Sequence, residues 1–307
     1  MQAIVYRSTG SWYIVKNEAG EFLNARIKGK LKLGGSTSTN PIAVGDIVEI
    51  DFEAADENLV ISKVYPRKNH INRVSPHNKH MQHIIAANLD GSLLFATLKD
   101  PKTSFGFIDR FLVTSEAYRV PAIIVFNKSD LLKKKEEEKF ARAKEIYEPI
   151  GYRIMKMSLE KKEGVDEVKN LLKDKVTLLS GHSGVGKSTF INHIFPDLSL
   201  KTQDVSGWSG KGLHTTTFAE MYDLPFGGKI IDTPGIREMG LADMPGKELA
   251  QYFPEMRAVM GNCKFNNCVH FNEPGCAVKE AVNEGTISEE RYLSYLNIKD
   301  TIEEKGY

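Results

Sequence analysis

Apolar and polar side chains alternate with a period of two through Ala3–Arg7, Trp12–Lys16, Phe22–Ile27, Gly45–Phe52 and Leu59–Val64. That period belongs to half-buried strands, and β-branched and aromatic residues are frequent in these runs. Gly10, Gly20, the tract Gly34–Pro41 and Asp56–Asn58 punctuate them as turns and loops. Five short strands in so little chain predict a small antiparallel β-barrel, for which an oligonucleotide-binding (OB-fold) closure is one solution. The polar segment Pro66–Pro76 reads as a linker.

From about residue 80 the period changes. After apolar runs at Ile84–Ala87 and Leu93–Leu98, strands are predicted at Ala122–Phe126, Arg153–Met157, Val176–Leu179, Thr217–Asp223 and Lys229–Ile231. Helical stretches at Ile108–Tyr118, Leu132–Tyr147 and Val165–Leu172, and a further one ending near Phe195, separate them. Such alternation predicts an α/β domain, a mostly parallel sheet with helices on both faces. The charged run Lys133–Lys139 places opposite charges at helical spacing and reads as a solvated helix face. Beyond about residue 240, Lys247–Phe253, Cys276–Asn283 and Glu289–Glu304 look helical. A piece this small has a thin core, which a structural metal would reinforce. The reading is therefore multidomain: a barrel over 1–68, an α/β domain over 69–238 and a helical module over 239–307.

The net charge of the chain is +1, which excludes a globally basic nucleic-acid binder. Any such surface must be local. Arg26, Lys28, Lys30 and Lys32 form one basic cluster; Arg67, Lys68, Arg73 and Lys79 form another. No apolar run reaches membrane-spanning length, and the first residues alternate like a strand, unlike a signal peptide. The expected setting is the cytoplasm, with no membrane partner and a monomeric chain.

Residues Gly181-His182-Ser183-Gly184-Val185-Gly186-Lys187-Ser188-Thr189 follow an apolar strand and open a helix. Glycines at this spacing let backbone N–H groups turn inward around phosphate oxygens. Lys187 would reach the outer phosphates and the Ser188 hydroxyl would meet Mg²⁺. Asp232-Thr233-Pro234-Gly235 ends a later apolar strand; Asp232 suits Mg²⁺ through water, and the Gly235 amide suits a γ-phosphate. Between them lies a Gly-rich polar loop, in which Thr215 or Thr216 would complete the Mg²⁺ shell.

Asn127-Lys128-Ser129-Asp130 also follows an apolar strand. A carboxylate at Asp130 accepts two hydrogen bonds from guanine, whereas adenine presents an acceptor at N1. Lys128 would lie along the base, and Asn127 would tie this segment to the phosphate loop. The stretch Met157-Ser158-Leu159 would offer a backbone N–H to the guanine carbonyl. In ordinary GTP-binding domains the phosphate loop precedes the base motif; in this chain it follows, so the order is rotated.

All three cysteines fall in Cys263-x4-Cys268-x-His270-x5-Cys276. Three thiolates and an imidazole match tetrahedral Zn²⁺ with no open position, and hence a structural role.

Together these segments resemble the circularly permuted GTPases of small ribosomal subunit assembly, the RsgA-type family. The resemblance rests on the order Asn127–Asp130, Ser158, Gly181–Ser188, Gly212–Thr216, Asp232–Gly235, with the zinc spacing behind it and the barrel ahead. It implies an OB-fold barrel, a permuted GTPase domain and a zinc-binding helical domain. It also implies GTP and GDP as ligands, slow hydrolysis stimulated by the small ribosomal subunit, and contacts with ribosomal RNA. A glutamine directly after Asp-x-x-Gly orients the attacking water in many relatives; here that place holds Ile236. His214, beside the candidate threonines, is the polar substitute and the catalytic candidate. Two other readings stay open: a non-catalytic, GTP-responsive RNA-binding adaptor, and a nucleotide-dependent enzyme of another class using the same loop. Because Asp232–Gly235 leads directly into the zinc module, the nucleotide state is expected to set that module's position relative to the barrel.

Overall fold

The computed structural model describes residues 1–9, 12–27, 42–53, 58–74, 82–195, 219–232 and 246–305. Strands β1 (Gln2–Ser8), β2 (Tyr13–Asn17), β3 (Phe22–Ile27), β4 (Ile47–Glu53) and β5 (Asn58–Val64) form the N-terminal barrel. They run in the order β1-β2-β3-β5-β4, and β4 closes back onto β1. The β3–β5 pair is parallel and its neighbours are antiparallel, as an OB-fold requires. Alternate residues point inward: Ala3, Val5, Tyr13, Val15, Ala25, Val48, Ile50 and Ile61 form one buried cluster. Closure removes the free edges that so short a sheet would otherwise expose.

The segment read as a linker is partly a strand. β6 (His70–Val74) pairs with β7 (Gln82–Ala87) as a separate two-stranded sheet. Ile71 is fully buried, and the polar residues around it hid the alternation. The hairpin seats the barrel: Ala87 N–H donates to Val44 O, and a Cβ on Gly45 would lie 2.2 Å from Ala87 O. Arg67 reaches back to Asp46 at 2.6 Å, and Lys68 reaches Asp90 at 2.8 Å. Two of the predicted RNA-facing cations are thus engaged in this joint. Lys28, Lys30, Lys32, Lys79 and the Arg73 side chain lie outside the described residues.

The central domain contains β8 (Gly91–Ala96), α1 (Phe105–Ala117), β9 (Ala122–Phe126), α2 (Lys134–Tyr147), β10 (Arg153–Lys156) and α3 (Val165–Leu172). It continues through β11 (Val176–Ser180), α4 (Lys187–Ile194), β12 (Glu220–Asp223) and β13 (Lys229–Asp232). Its strand order is β10-β9-β8-β11-β13-β12, parallel except for β12. One apolar cluster covers each face. The first includes Phe111, Ile124, Tyr147 and Leu178; the second includes Phe95, Val168, Phe190 and Ile230. Barrel and sheet are continuous. The first half of β1 pairs with β4, and Arg7, beyond a bulge, pairs with Glu220 of β12. Tyr6 and Lys16 both reach Asp223 at 2.6 Å, and Tyr6 joins the first apolar cluster.

The C-terminal module holds α5 (Pro254–Val259), α6 (Ala277–Asn283) and α7 (Glu289–Lys305). The helix expected over Lys247–Phe253 is a 3₁₀ turn at Leu249–Tyr252, after which Pro254 opens α5. Proline suits a first helical position, where its missing N–H costs nothing. Among the described residues no helix is long and apolar enough to cross a membrane.

Candidate nucleotide site and zinc centre

Four parallel strands, β9, β8, β11 and β13, end on one side of the sheet. The base motif follows β9, the phosphate loop follows β11, and Asp232 ends β13. Ligands of open α/β sheets bind at such carboxyl ends. Rotation of the chain leaves this convergence intact, because it depends on strand neighbours, not on where the chain starts.

The phosphate loop needs glycine at two close approaches. A Cβ on Gly181 (φ +137°) would lie 2.3 Å from Phe95 O, and one on Gly186 (φ +95°) would lie 2.3 Å from Asn127 Nδ2. Ser183, Gly184 and Thr189 face solvent, while Val185 and Ser188 are buried. Lys187 Nζ folds onto the loop and donates to the carbonyls of Gly181 and His182. Burial lowers the Lys187 pKa, and the nearby Asp232 opposes that. Asp232 and Ser188 are both buried, at the end of β13 and the start of α4.

Asn127 is 3% exposed and its Nδ2 donates to Val185 O at 2.9 Å, joining the base motif to the phosphate loop. Lys128 takes a left-handed conformation (φ 60°), and its Nζ donates to Asp100 O at 2.6 Å. Ser129 N–H donates to Met157 O at 3.0 Å. The Ser158 hydroxyl donates to Asp130 Oδ1 at 2.7 Å, which fixes the carboxylate's orientation. Ser158 differs from expectation in one respect: its own amide is taken by Glu163 O at 2.9 Å. Its hydroxyl, and not its amide, meets the base motif, and the amide of Met157 is likewise engaged, by Phe126 O. His214, Thr215, Thr216 and Gly235 lie outside the described residues.

Cys263, Cys268, His270 and Cys276 converge, with their ligand atoms all within 4.8 Å of one another. His270 Nδ1 lies 3.6 Å from Cys263 Sγ and 3.4 Å from Cys276 Sγ. A Zn²⁺ tetrahedron built from ordinary bond lengths has N···S edges of about 3.6 Å, so this set fits the ion. Burial, reinforced by the neighbouring thiols, pushes the Cys268 thiol up to about 12, and burial lowers His270. A central cation would reverse the thiol shift, and a neutral imidazole is the form that ligates. The loop is held from outside the cluster. Glu273 accepts from the amides of Val269 (2.7 Å) and Phe271 (2.9 Å), and Tyr292 and Tyr295 donate to the carbonyls of His270 and Val269 at 2.7 Å. Metal analysis of purified chain is expected to give about one zinc per molecule, the capacity of one four-ligand site. Cys276→Ser is expected to lose the zinc and unfold the C-terminal module; half an equivalent or less in the parent chain overturns the assignment.

Two constellations were not legible in the sequence. Arg291 of α7, 1% exposed, bonds Asp109 of α1 and Glu255 of α5, each at 2.7 Å. Tyr147 OH donates to the same Asp109 oxygen at 2.7 Å. His182 in the phosphate loop lies 2.7 Å from Thr103 Oγ1, just ahead of α1. No motif spacing signals either, because their partners are far apart in the chain.

The RsgA GTPase profile matches residues 64–242, and the RsgA N-terminal domain profile matches residues 2–60. A protein of Cytophaga hutchinsonii named small ribosomal subunit biogenesis GTPase RsgA is 52% identical over 98% of this chain and 99% of its own. A protein of the same name from Flavobacterium psychrophilum is 50% identical over 97% and 92%. The crystal structure of YjeQ from Thermotoga maritima superposes with a TM-score of 0.78 at 34% identity, covering 98% of both chains. YloQ, described as a circularly permuted GTPase, superposes at 0.75 with 27% identity, over 99% of this chain and 95% of that one. Barrel, rotated nucleotide domain and cysteine-rich module are therefore shared from end to end, and the chain belongs to the RsgA GTPase family.

Proposed function

We propose that this GTPase acts in biogenesis of the small ribosomal subunit, binding the subunit and its rRNA and hydrolysing GTP to GDP and phosphate. The observation that carries the reading is the bond from Asn127 to Val185 O, which sets base motif and phosphate loop edge to edge at the strand ends. The relatives' shared name supplies the subunit. The working units are a barrel (1–68), a GTPase domain (69–238) and a zinc module (239–307).

In this reading the backbone amides of Gly181–Ser188 and the start of α4 bind the β- and γ-phosphates. Lys187 leaves the Gly181 and His182 carbonyls for phosphate oxygens, a partner of full negative charge. Asp130 accepts from the guanine N1–H and exocyclic amine, with Ser158 holding it in line, Lys128 along the base, and the amide of Leu159 placed for the guanine carbonyl. Ser188, Asp232 and Thr215 or Thr216 would hold Mg²⁺. When bound, that ion neutralises charge developing between the β- and γ-phosphates. Thr189 stands beside Ser188 at the site's mouth, and Gly235 would sense the γ-phosphate. The apolar side chain of Ile236 cannot orient water, so that task falls to His214. Zn²⁺, held by Cys263, Cys268, His270 and Cys276, has a structural part only. The setting that fits this work is the cytoplasm, with the chain as a monomer.

Multiple-turnover GTP hydrolysis with and without purified small subunits tests the reading. The expected basal rate is on the order of 10⁻⁴–10⁻² s⁻¹, in line with unassisted GTPases, with a large rise on adding subunits. His214→Ala is expected to retain GTP affinity and lose the rise. Undiminished stimulation in that variant removes His214 from the mechanism. GTP binding with no turnover leaves an adaptor, and a preference for ATP points to another enzyme class.

A further inference from the structure

The loop from Thr97 to Thr103 joins β8 to α1 and stands against both nucleotide motifs. It is closed on itself: Thr103 N–H donates to Thr97 O at 2.8 Å, and Thr97 N–H donates to Thr103 Oγ1 at 3.0 Å. At its tip Asp100 O holds Lys128 Nζ at 2.6 Å. Pro101 lies against Gly184, 3.4 Å from where a Cβ would stand. Among the described residues, one side-chain hydrogen bond ties this loop to the phosphate loop, between Thr103 and His182.

The geometry settles the protons. Ser183 O can only accept, so its 3.2 Å contact with His182 Nδ1 places the hydrogen of the neutral ring on Nδ1. Nε2 is then an acceptor, and the Thr103 hydroxyl, which itself accepts from Thr97 N–H, donates to it at 2.7 Å. Phe107, in the first turn of α1, meets the ring edge-on at 5.4 Å and 86°. The backbone of His182 faces the other way, its carbonyl accepting from Lys187 at 3.0 Å. One residue therefore points its carbonyl into the phosphate cradle and its side chain out to the brace.

We propose that His182 is a positioning residue whose side chain, through Thr103, holds the Thr97–Thr103 loop across the phosphate loop and the base motif, and so sets the fit of guanine nucleotides. The inference rests on residues 127–130 and 181–188 forming one nucleotide site. Losing the clasp frees the brace at its α1 end, and Lys128 and Gly184 lose a common support. Neither contact involves a γ-phosphate, so GTP and GDP weaken together.

Fluorescence titration with N-methylanthraniloyl GTP and GDP tests this on the full-length chain. His182→Ala and Thr103→Val are each expected to weaken both nucleotides by the same factor, about three- to ten-fold, the worth of one hydrogen bond. The double variant is expected to stay within about two-fold of the weaker single variant, because two partners of one bond are not additive. His182→Gln keeps an acceptor for Thr103 and is expected to recover most of the affinity. Should Thr103→Val not fold, the contrast between His182→Gln and His182→Ala carries the same comparison. Effects that multiply in the double variant, a His182→Gln as weak as His182→Ala, or a loss confined to GTP each overturn the proposal. A parent chain that binds neither nucleotide would instead sink the site itself.

Discussion

Arg291→Ala is expected to destabilise the junction between the C-terminal module and the GTPase domain by about 3–5 kcal/mol, the cost of leaving buried charges without their partner. Among the described residues Arg291 is the largest fully buried side chain. Burial works against its charge, yet Asp109 and Glu255 outweigh that and hold its pKa above the usual guanidinium value. Its guanidinium also lies over the Phe253 ring at 4.5 Å. Removal leaves two carboxylates facing each other in an apolar setting, where water cannot replace the lost partner. Urea melts followed by tryptic cleavage would read the effect: an earlier transition and new cuts around α7. Arg291→Ala combined with Asp109→Asn and Glu255→Gln is expected to regain much of the loss, since no charge is then stranded. A melt unchanged in the single variant would show that the junction does not depend on this residue.

The same junction has a half-exposed second contact. Arg142 of α2 grips both Glu290 oxygens at 2.8 Å and holds that carboxyl down at about 2. Because the folded pKa is depressed, this contribution is fully present above the ordinary carboxylate range and is lost as pH falls toward about 2. These contacts refine the expectation that nucleotide state moves the zinc module. Val113 of α1 belongs to the module's apolar cluster, and Asp109 lies one turn away. Any displacement of the module relative to the barrel must therefore carry α1 with it or break this junction.

Asp130→Asn is expected to lower GTP affinity by roughly 10²–10⁴-fold, from two hydrogen bonds to a charged acceptor worth about 1.5–3 kcal/mol each. It is expected to create a preference for xanthosine triphosphate. The direction follows from Ser158, whose hydroxyl already occupies Asp130 Oδ1. An asparagine there would turn its carbonyl oxygen to Ser158 and its NH₂ to the base. That NH₂ meets the C2 carbonyl of xanthine and repels the amine of guanine. Competition titration with the two triphosphates measures it, and an unaltered guanine preference would remove Asp130 from base reading.

How much of this was legible in the sequence varies by element. The strand–loop–helix around Lys187 and the four zinc-type ligands could be read directly, since their chemistry demands particular residues at short, fixed spacings. The rotated order could be read because each motif is local and survives transposition. β6 was missed because one buried residue, Ile71, sits among polar neighbours and its partner strand begins after a gap. The helix over Lys247–Phe253 was misplaced because apolar content alone does not show that Pro254 starts a new one. That Ser158 meets Asp130 with its hydroxyl while its amide is engaged depends on Glu163 closing a small turn.

By itself the sequence determined the local chemistry: a glycine-rich strand-to-helix loop at Gly181–Ser188, a carboxylate at Asp130, and a Cys3His set at 263–276. Each arises from residues within one turn or loop, where spacing alone dictates geometry. The tertiary structure decided how these parts act on one another. Arg7 stitches the barrel to Glu220, His182 clasps Thr103 across 79 positions, and Arg291 meets Asp109 across 182. Such contacts depend on which strands become neighbours and on which charged groups are buried together, and no periodicity along the chain encodes either.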